Sequence, residues 1–144
     1  MTSPIVVRRL DFCAGHRVYR HESKCAWLHG HNYVLYVHAT APGLDALGRI
    51  VDFSVLKARF GAWIADHWDH AMILWKDDHE AIEALGHVPG QRLYLLDTNP
   101  TAENMAITLL ESIGPHLMAD TGVQISRICL WETPNCYVEV SADA

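Results

Sequence analysis

His29-Gly30-His31-Asn32-Tyr33-Val34-Leu35-Tyr36-Val37-His38-Ala39-Thr40 is the stretch from which the rest of the chain can be read. In an extended chain, side chains alternate between two faces. His29, His31, Tyr33, Leu35, Val37 and Ala39 then share one face. An apolar row of this kind is a half-buried strand, and here it carries two imidazoles at one end. His16 brings a third imidazole from upstream, and Gly30 leaves room between the pair. Three neutral imidazoles suit Zn²⁺ and leave a fourth position open for water or substrate. Two histidines in a strand are also compatible with ordinary hydrogen-bonded residues. The third histidine and the nearby Cys25 favour the metal.

Working outward, residues 4–12 are rich in β-branched side chains and predict a strand, and residues 13–28 predict a long loop. Pro42-Gly43 marks a turn. Asp52 or Ser54 can cap a helix over 54–67, where Leu56, Phe60, Trp63, Ile64 and His67 recur at helical spacing. Asp77 to Leu85 predicts a short helix stopped by Gly86, and Leu93-Tyr94-Leu95-Leu96 a short strand. Asn99-Pro100 predicts a helix start, with Met105, Ala106, Leu109, Leu110 and Ile113 as its apolar stripe and Gly114-Pro115 as its end. Residues 122–132 and 136–141 predict two strands joined as a hairpin through Thr133-Pro134-Asn135. This order predicts an α+β fold, an antiparallel sheet with helices on one face. One domain over 1–144 accounts for the whole chain, without repeats or linkers.

Composition narrows the function. The net charge is −6, from 11 basic and 17 acidic residues, and no basic cluster exceeds Arg8-Arg9. Nucleic acid is therefore not an expected partner, because that binding needs a cationic footprint. No run is long and apolar enough to span a membrane. The first nine residues lack the apolar core of a signal peptide, so a cytoplasmic location is expected. The cysteines Cys13, Cys25, Cys129 and Cys136 lack paired zinc-ribbon spacing, and in the cytosol they are expected to be reduced.

Several residues beyond the histidines carry chemistry. Cys25 has two sharp readings: a fourth zinc ligand that closes the site, or a free thiolate base beside the metal. A buried, inert role fits Cys13 and Cys129. Asp69-His70 suggests an oriented acid/base pair, but neighbours within a helix do not face each other, so the chain must turn there. Glu132 shares parity with Ile128 and Leu130, which puts a carboxylate at the end of an apolar row. Glu103, in a first helical turn, has a plain reading as a partner of the helix dipole. Arg17 and Lys24 are candidate polyanion contacts by charge and position.

Six fragments in order resemble the 6-pyruvoyl-tetrahydropterin synthase / 6-carboxy-tetrahydropterin synthase family. They are Phe12-Cys13-Ala14-Gly15-His16-Arg17, Lys24-Cys25 through Tyr33, Gly48 to Phe53, Asp69-His70, Pro100 to Asn104, and Trp131-Glu132-Thr133. The resemblance implies the tunnel fold (ββααββ), assembling into an oligomeric barrel: a homo-hexamer built as a dimer of trimers, with sites at subunit interfaces. It implies Zn²⁺ on His16, His29 and His31, and Cys25 as the proton-abstracting base. Asp69 and His70 become acid/base partners, and Glu132, Thr101 and Glu103 bind the pterin. The implied substrate is 7,8-dihydroneopterin triphosphate.

Leu28-His29-Gly30-His31 looks like the bacterial carboxy branch of queuosine and deazapurine synthesis, which implies 6-carboxy-5,6,7,8-tetrahydropterin, acetaldehyde and triphosphate as products. The pyruvoyl branch, a non-catalytic zinc or pterin-binding oligomer, and a structural Cys/His₃ zinc module stand as alternatives. Residues 77–92 match no part of the resemblance.

Overall fold

Val6–His16 (β1) runs antiparallel to His29–Thr40 (β2), from Val6 opposite Ala39 to His16 opposite His29 without a slip. The computed structural model describes residues 2–142. Gln124–Thr133 (β5) adds to the other side of β2, and Cys136–Ser141 (β6) pairs with β5, both antiparallel. Two short strands, Met72–Trp75 (β3) and Leu93–Leu96 (β4), extend the opposite edge. The sheet order is β4-β3-β1-β2-β5-β6.

The four long strands form the expected antiparallel set, but β1 pairs with β3, and β3 with β4, in parallel. β3 follows β2 through the helix Phe53–His67 (α1) and runs opposite to it, which makes it parallel to β1. β4 follows β3 through the helix His79–Gly86 (α2), a crossover that returns the chain to the sheet in the same direction. Four apolar residues, Met72-Ile73-Leu74-Trp75, are too few for periodicity to mark as a strand.

β1 also runs four residues further than its composition predicts, through the expected loop to His16. Gly15 eases this: a Cβ there would lie 2.2 Å from the Met72 sulfur, so the methionine side chain would have to move, and 3.2 Å from the His29 carbonyl oxygen.

Each helix carries its own start signal. Asp52 caps α1, its Oδ1 accepting from the Ser54 N–H at 2.8 Å. Leu56, Phe60 and Ile64 form the buried face of α1. The last helix, Ala102–Thr108 (α3), is capped by Thr101, not by Asn99 as predicted, because the Thr101 hydroxyl accepts from the Asn104 N–H at 3.1 Å. It does not stop at Gly114-Pro115. A π-helical turn over Leu109–Ile113 leads into Gly114–Leu117 (α4). The wider turn accommodates the proline, which falls in the first turn of α4 where no N–H is needed. Gly114 is required there, since a Cβ would lie 2.7 Å from the Leu109 carbonyl oxygen.

The helices cover the face of β1 and β2 that carries Phe12, Ala14, Tyr33, Leu35 and Val37, all buried. Phe12 stacks on Tyr33, with ring centroids 4.8 Å apart. Trp68, fully buried at the end of α1, closes this core.

One polar pair is buried at the edge. Arg17, just past β1, makes a two-point contact with Asp78: Nε to Oδ2 at 2.7 Å and Nη2 to Oδ1 at 2.5 Å. Asp78 also caps α2 through the Ala81 N–H. Arg17 is thus committed to a carboxylate and is not free for the polyanion role. Burial alone would raise the Asp78 pKa, but the Arg17 and Ala81 donors outweigh it and hold the carboxyl below its ordinary 3.8. A group depressed on folding contributes stability that is present above its unfolded pKa and is lost as the pH falls through its folded pKa. Asp78→Ala should lower unfolding stability at neutral pH by about 3 kcal/mol, because it strands a largely buried guanidinium. Urea midpoints measured at pH 7 and below pH 4 should show the gap to wild type closing in acid.

Candidate metal centre

Three imidazoles meet where β1 and β2 end together. His16 lies opposite His29 in the ladder, and His31 is one pleat further along the same face of β2. Their ligand atoms all lie within 4.8 Å of one another. Backbone carbonyls orient two of the rings. His16 Nδ1 lies 2.7 Å from the Pro100 carbonyl oxygen, and His29 Nδ1 lies 2.6 Å from that of Trp27. A carbonyl only accepts, so each Nδ1 carries the proton and each Nε2 presents a lone pair.

Those two Nε2 atoms face each other at 3.1 Å. Two lone pairs at that distance repel unless a cation lies beside both. Two nitrogens at 2.0–2.1 Å from a tetrahedral ion would be about 3.3 Å apart. The donor set therefore fits a divalent metal, with carbonyl partners of the kind that orient metal-bound histidines. Burial, opposed by the Pro100 hydrogen bond and helped by the neighbouring imidazoles, lowers the His16 pKa to about 4, and burial likewise lowers that of His31. Both are neutral donors at pH 7.

Glu132 closes one side of the centre. Its Oε2 is 3.6 Å from Nε2 of both His16 and His31. Burial raises its pKa, His29 opposes that, and Glu103 reinforces it. The apolar row ends in a carboxylate, as its parity predicts, and the structure turns that carboxylate toward the imidazoles. The buried Tyr33 ring packs edge-on against His16 and His31.

The other singled-out residues fall into separate groups. Cys25 sits half-buried in a short 3₁₀ turn, Lys24–Ala26. Among the described residues it is not part of the cluster that could hold a metal ion. The chain does turn at Asp69-His70: His70 adopts φ 59°, and its backbone N–H donates to the Cys13 carbonyl. Asp69 Oδ1 then lies 3.0 Å from His70 Nδ1 and also accepts the Cys13 N–H at 3.0 Å. His70 is exposed and borders a cavity of about 430 Å³, whose walls include Cys13, Asn32 and His31.

Cys13 is exposed, not buried as expected, because it lies on the sheet face that no helix covers; Cys129 is buried. Thr101 uses its hydroxyl as the α3 cap, and Glu103 is exposed in the first turn of α3. The two orienting carbonyls, of Trp27 and Pro100, had no signature in the sequence, since every residue has a carbonyl.

A family model described as 6-pyruvoyl tetrahydropterin synthase matches residues 5–143. The chain belongs to this family. The 6-carboxy-5,6,7,8-tetrahydropterin synthase of Rickettsia felis is 43% identical over 133 residues, covering 92% of this chain and 96% of its own. The protein of the same name from Rickettsia typhi is 44% identical over the same shares. An uncharacterized protein from Wolinella succinogenes matches with a TM-score of 0.82 at 23% identity, over 99% of this chain and 100% of its own. The 6-pyruvoyl tetrahydropterin synthase of Caenorhabditis elegans matches with a TM-score of 0.71 at 24% identity, over 99% and 98%. At such identities the structures speak for the fold alone, a mixed sheet curled into a half-barrel with helices, in line with the expected tunnel fold. The chain is an enzyme of the lyase type.

His16→Ala removes the most buried of the three donors. After dialysis against trace zinc, elemental analysis should find about one ion per wild-type chain and close to none in the variant. Full retention by the variant would exclude this centre.

Proposed function

We propose that the protein converts 7,8-dihydroneopterin triphosphate to 6-carboxy-5,6,7,8-tetrahydropterin, acetaldehyde and triphosphate, with zinc on His16, His29 and His31. What carries this reading is the three-imidazole pocket beside the Glu132 carboxylate, in a chain whose near relatives bear the carboxy-synthase name. Zinc bound there would polarise substrate oxygens and so acidify the C–H groups next to them.

The protein's own groups divide the remaining work. Glu132 accepts hydrogen bonds from the amidine-like N–H edge of the pterin, at the mouth of the centre. Its raised pKa keeps it sensitive to the charge brought in beside it. Thr101 and Glu103, in the first turn of α3, complete the pterin side; the effect of Glu103 on the Glu132 pKa supports their proximity. Cys25 takes the proton from the substrate side chain as thiolate. His70, held by Asp69, returns or relays a proton at its exposed ring.

In one chain, Cys25 and the Asp69–His70 pair lie outside the cluster of imidazoles that could hold a metal ion. A site completed by a neighbouring copy is part of the same reading. The half-exposed Val34, Tyr36 and Trp131 on the uncovered sheet face, and the open edges at β4 and β6, are surfaces on which copies can close a barrel. A hexamer of two trimers fits the reading, as does a cytoplasmic enzyme supplying deazapurine synthesis. Among the described residues no helix is long and apolar enough to cross a membrane.

Incubation of the zinc-loaded protein with 7,8-dihydroneopterin triphosphate, with aldehyde trapping and mass spectrometry, should yield the carboxy product and acetaldehyde. A pyruvoyl product without aldehyde would assign the other branch, and no turnover would sink the reading. Cys25→Ala should keep its zinc and lose turnover by about 10²–10⁴-fold, the usual worth of a positioned base. Loss of the metal in that variant would instead make Cys25 a ligand.

A further inference from the structure

The loop between β1 and β2 carries Cys25, and it is tied to the far end of the sequence at one place. The Asn99 carboxamide makes two hydrogen bonds to the backbone of Tyr19: its Oδ1 accepts the Tyr19 N–H at 2.9 Å, and its Nδ2 donates to the Tyr19 carbonyl at 3.0 Å. A side-chain amide thereby satisfies both backbone groups of one loop residue, as a paired strand would. The neighbouring Val18 N–H donates to the Cys25 carbonyl at 2.8 Å, so the loop is closed on itself at the cysteine. The clamp therefore acts one residue from the contact that sets the position of Cys25.

Asn99 is itself held. Its carbonyl accepts from the Thr101 N–H at 2.8 Å and from the Asn104 carboxamide at 2.9 Å. The next residue, Pro100, supplies the carbonyl that orients His16. One turn thus touches the metal ligand through its backbone and the cysteine loop through its side chain. The Arg17–Asp78 pair braces the root of the same loop from α2, which gives the otherwise unmatched segment 77–92 a structural task.

We infer that Asn99 is a positioning residue: its carboxamide fixes the Cys25 loop to the turn that also sets His16, and so fixes the thiol relative to the metal centre. The inference rests on the catalytic reading of Cys25 for its functional meaning, but not for its geometry. Removing the carboxamide frees the loop and leaves the His16–Pro100 contact in place, because Thr101 and Asn104 still hold the turn through the Asn99 backbone carbonyl. Asn99→Asp keeps an acceptor for the Tyr19 N–H but loses the donor to the Tyr19 carbonyl, and therefore falls between.

The test is site-resolved alkylation of the intact zinc-loaded protein with iodoacetamide, read by peptide mass spectrometry. Cys13 and Cys136 serve as exposed references and Cys129 as the buried one. In Asn99→Ala, the Cys25 rate relative to Cys136 should rise about tenfold, the scale set by losing two hydrogen bonds, with Asn99→Asp intermediate. Cys129 should stay protected and zinc content unchanged. An unchanged Cys25 ratio would overturn the inference. So would a joint rise at Cys25 and Cys129, which would make Asn99 a residue of general stability. The alkylation ratio reads the loop whatever Cys25 does in turnover. Failure of the catalytic reading would show separately, as full activity in Cys25→Ala.

Discussion

The register between β1 and β2 governs this molecule. Val6 faces Ala39, and each following pair keeps step until His16 faces His29. A slip of one residue would turn His29 and His31 to the uncovered face and put Gly30 and Asn32 among the helices. The buried row Phe12, Tyr33, Leu35 and Val37 opposes such a slip, since the whole apolar set would move into water. Hydrophobic burial along ten residues therefore holds two imidazole nitrogens 3.1 Å apart at the end of the ladder. The histidine cluster is positioned by a core it does not belong to.

The electrostatics follow from the same burial. Three imidazoles crowd together under the helix layer, and desolvation keeps the His16 ring neutral. Desolvation also raises Glu132, whose carboxylate lies 3.6 Å from two of the imidazole nitrogens without forming a hydrogen bond to either. Such a pocket has unused acceptor capacity on several sides. The Nδ1 donors of His16 and His29 are satisfied by backbone, while their Nε2 acceptors are left for something that is not protein.

What the sequence made legible is what alternation and capping can encode. The β2 row, the α1 stripe and the gathering of the three histidines could all be read, because each depends on side-chain type at fixed spacing. The parity of Glu132 with Leu130 put a carboxylate at the end of the row, and the pairing of β5 with β2 is what turns it toward the imidazoles. Backbone acts were not legible. The continuation of β1 to His16 brings Gly15 beside Met72, a pairing between residues 57 positions apart in sequence. The capping of α3 by Thr101 instead of Asn99 reflects Asn99 being drawn away to Tyr19. The facing of Asp69 and His70 needed a left-handed residue that no pattern announces. Arg17 looked free only because its partner, Asp78, lies in a segment that matched nothing.

The π-helical turn at Leu109–Ile113 has a consequence for how the chain can change over evolutionary time. A π turn holds one residue more than α geometry would. Excising that residue would make a regular helix and look harmless in a sequence comparison. The wide turn absorbs the extra residue, so the parts before and after it would keep their phase. The cost would fall on Pro115, which a regular helix would hold in its interior, where its ring meets the carbonyl four residues back at a cost of about 3 kcal/mol. The π turn and the proline are thus tied together, and a lineage can lose one only along with the other.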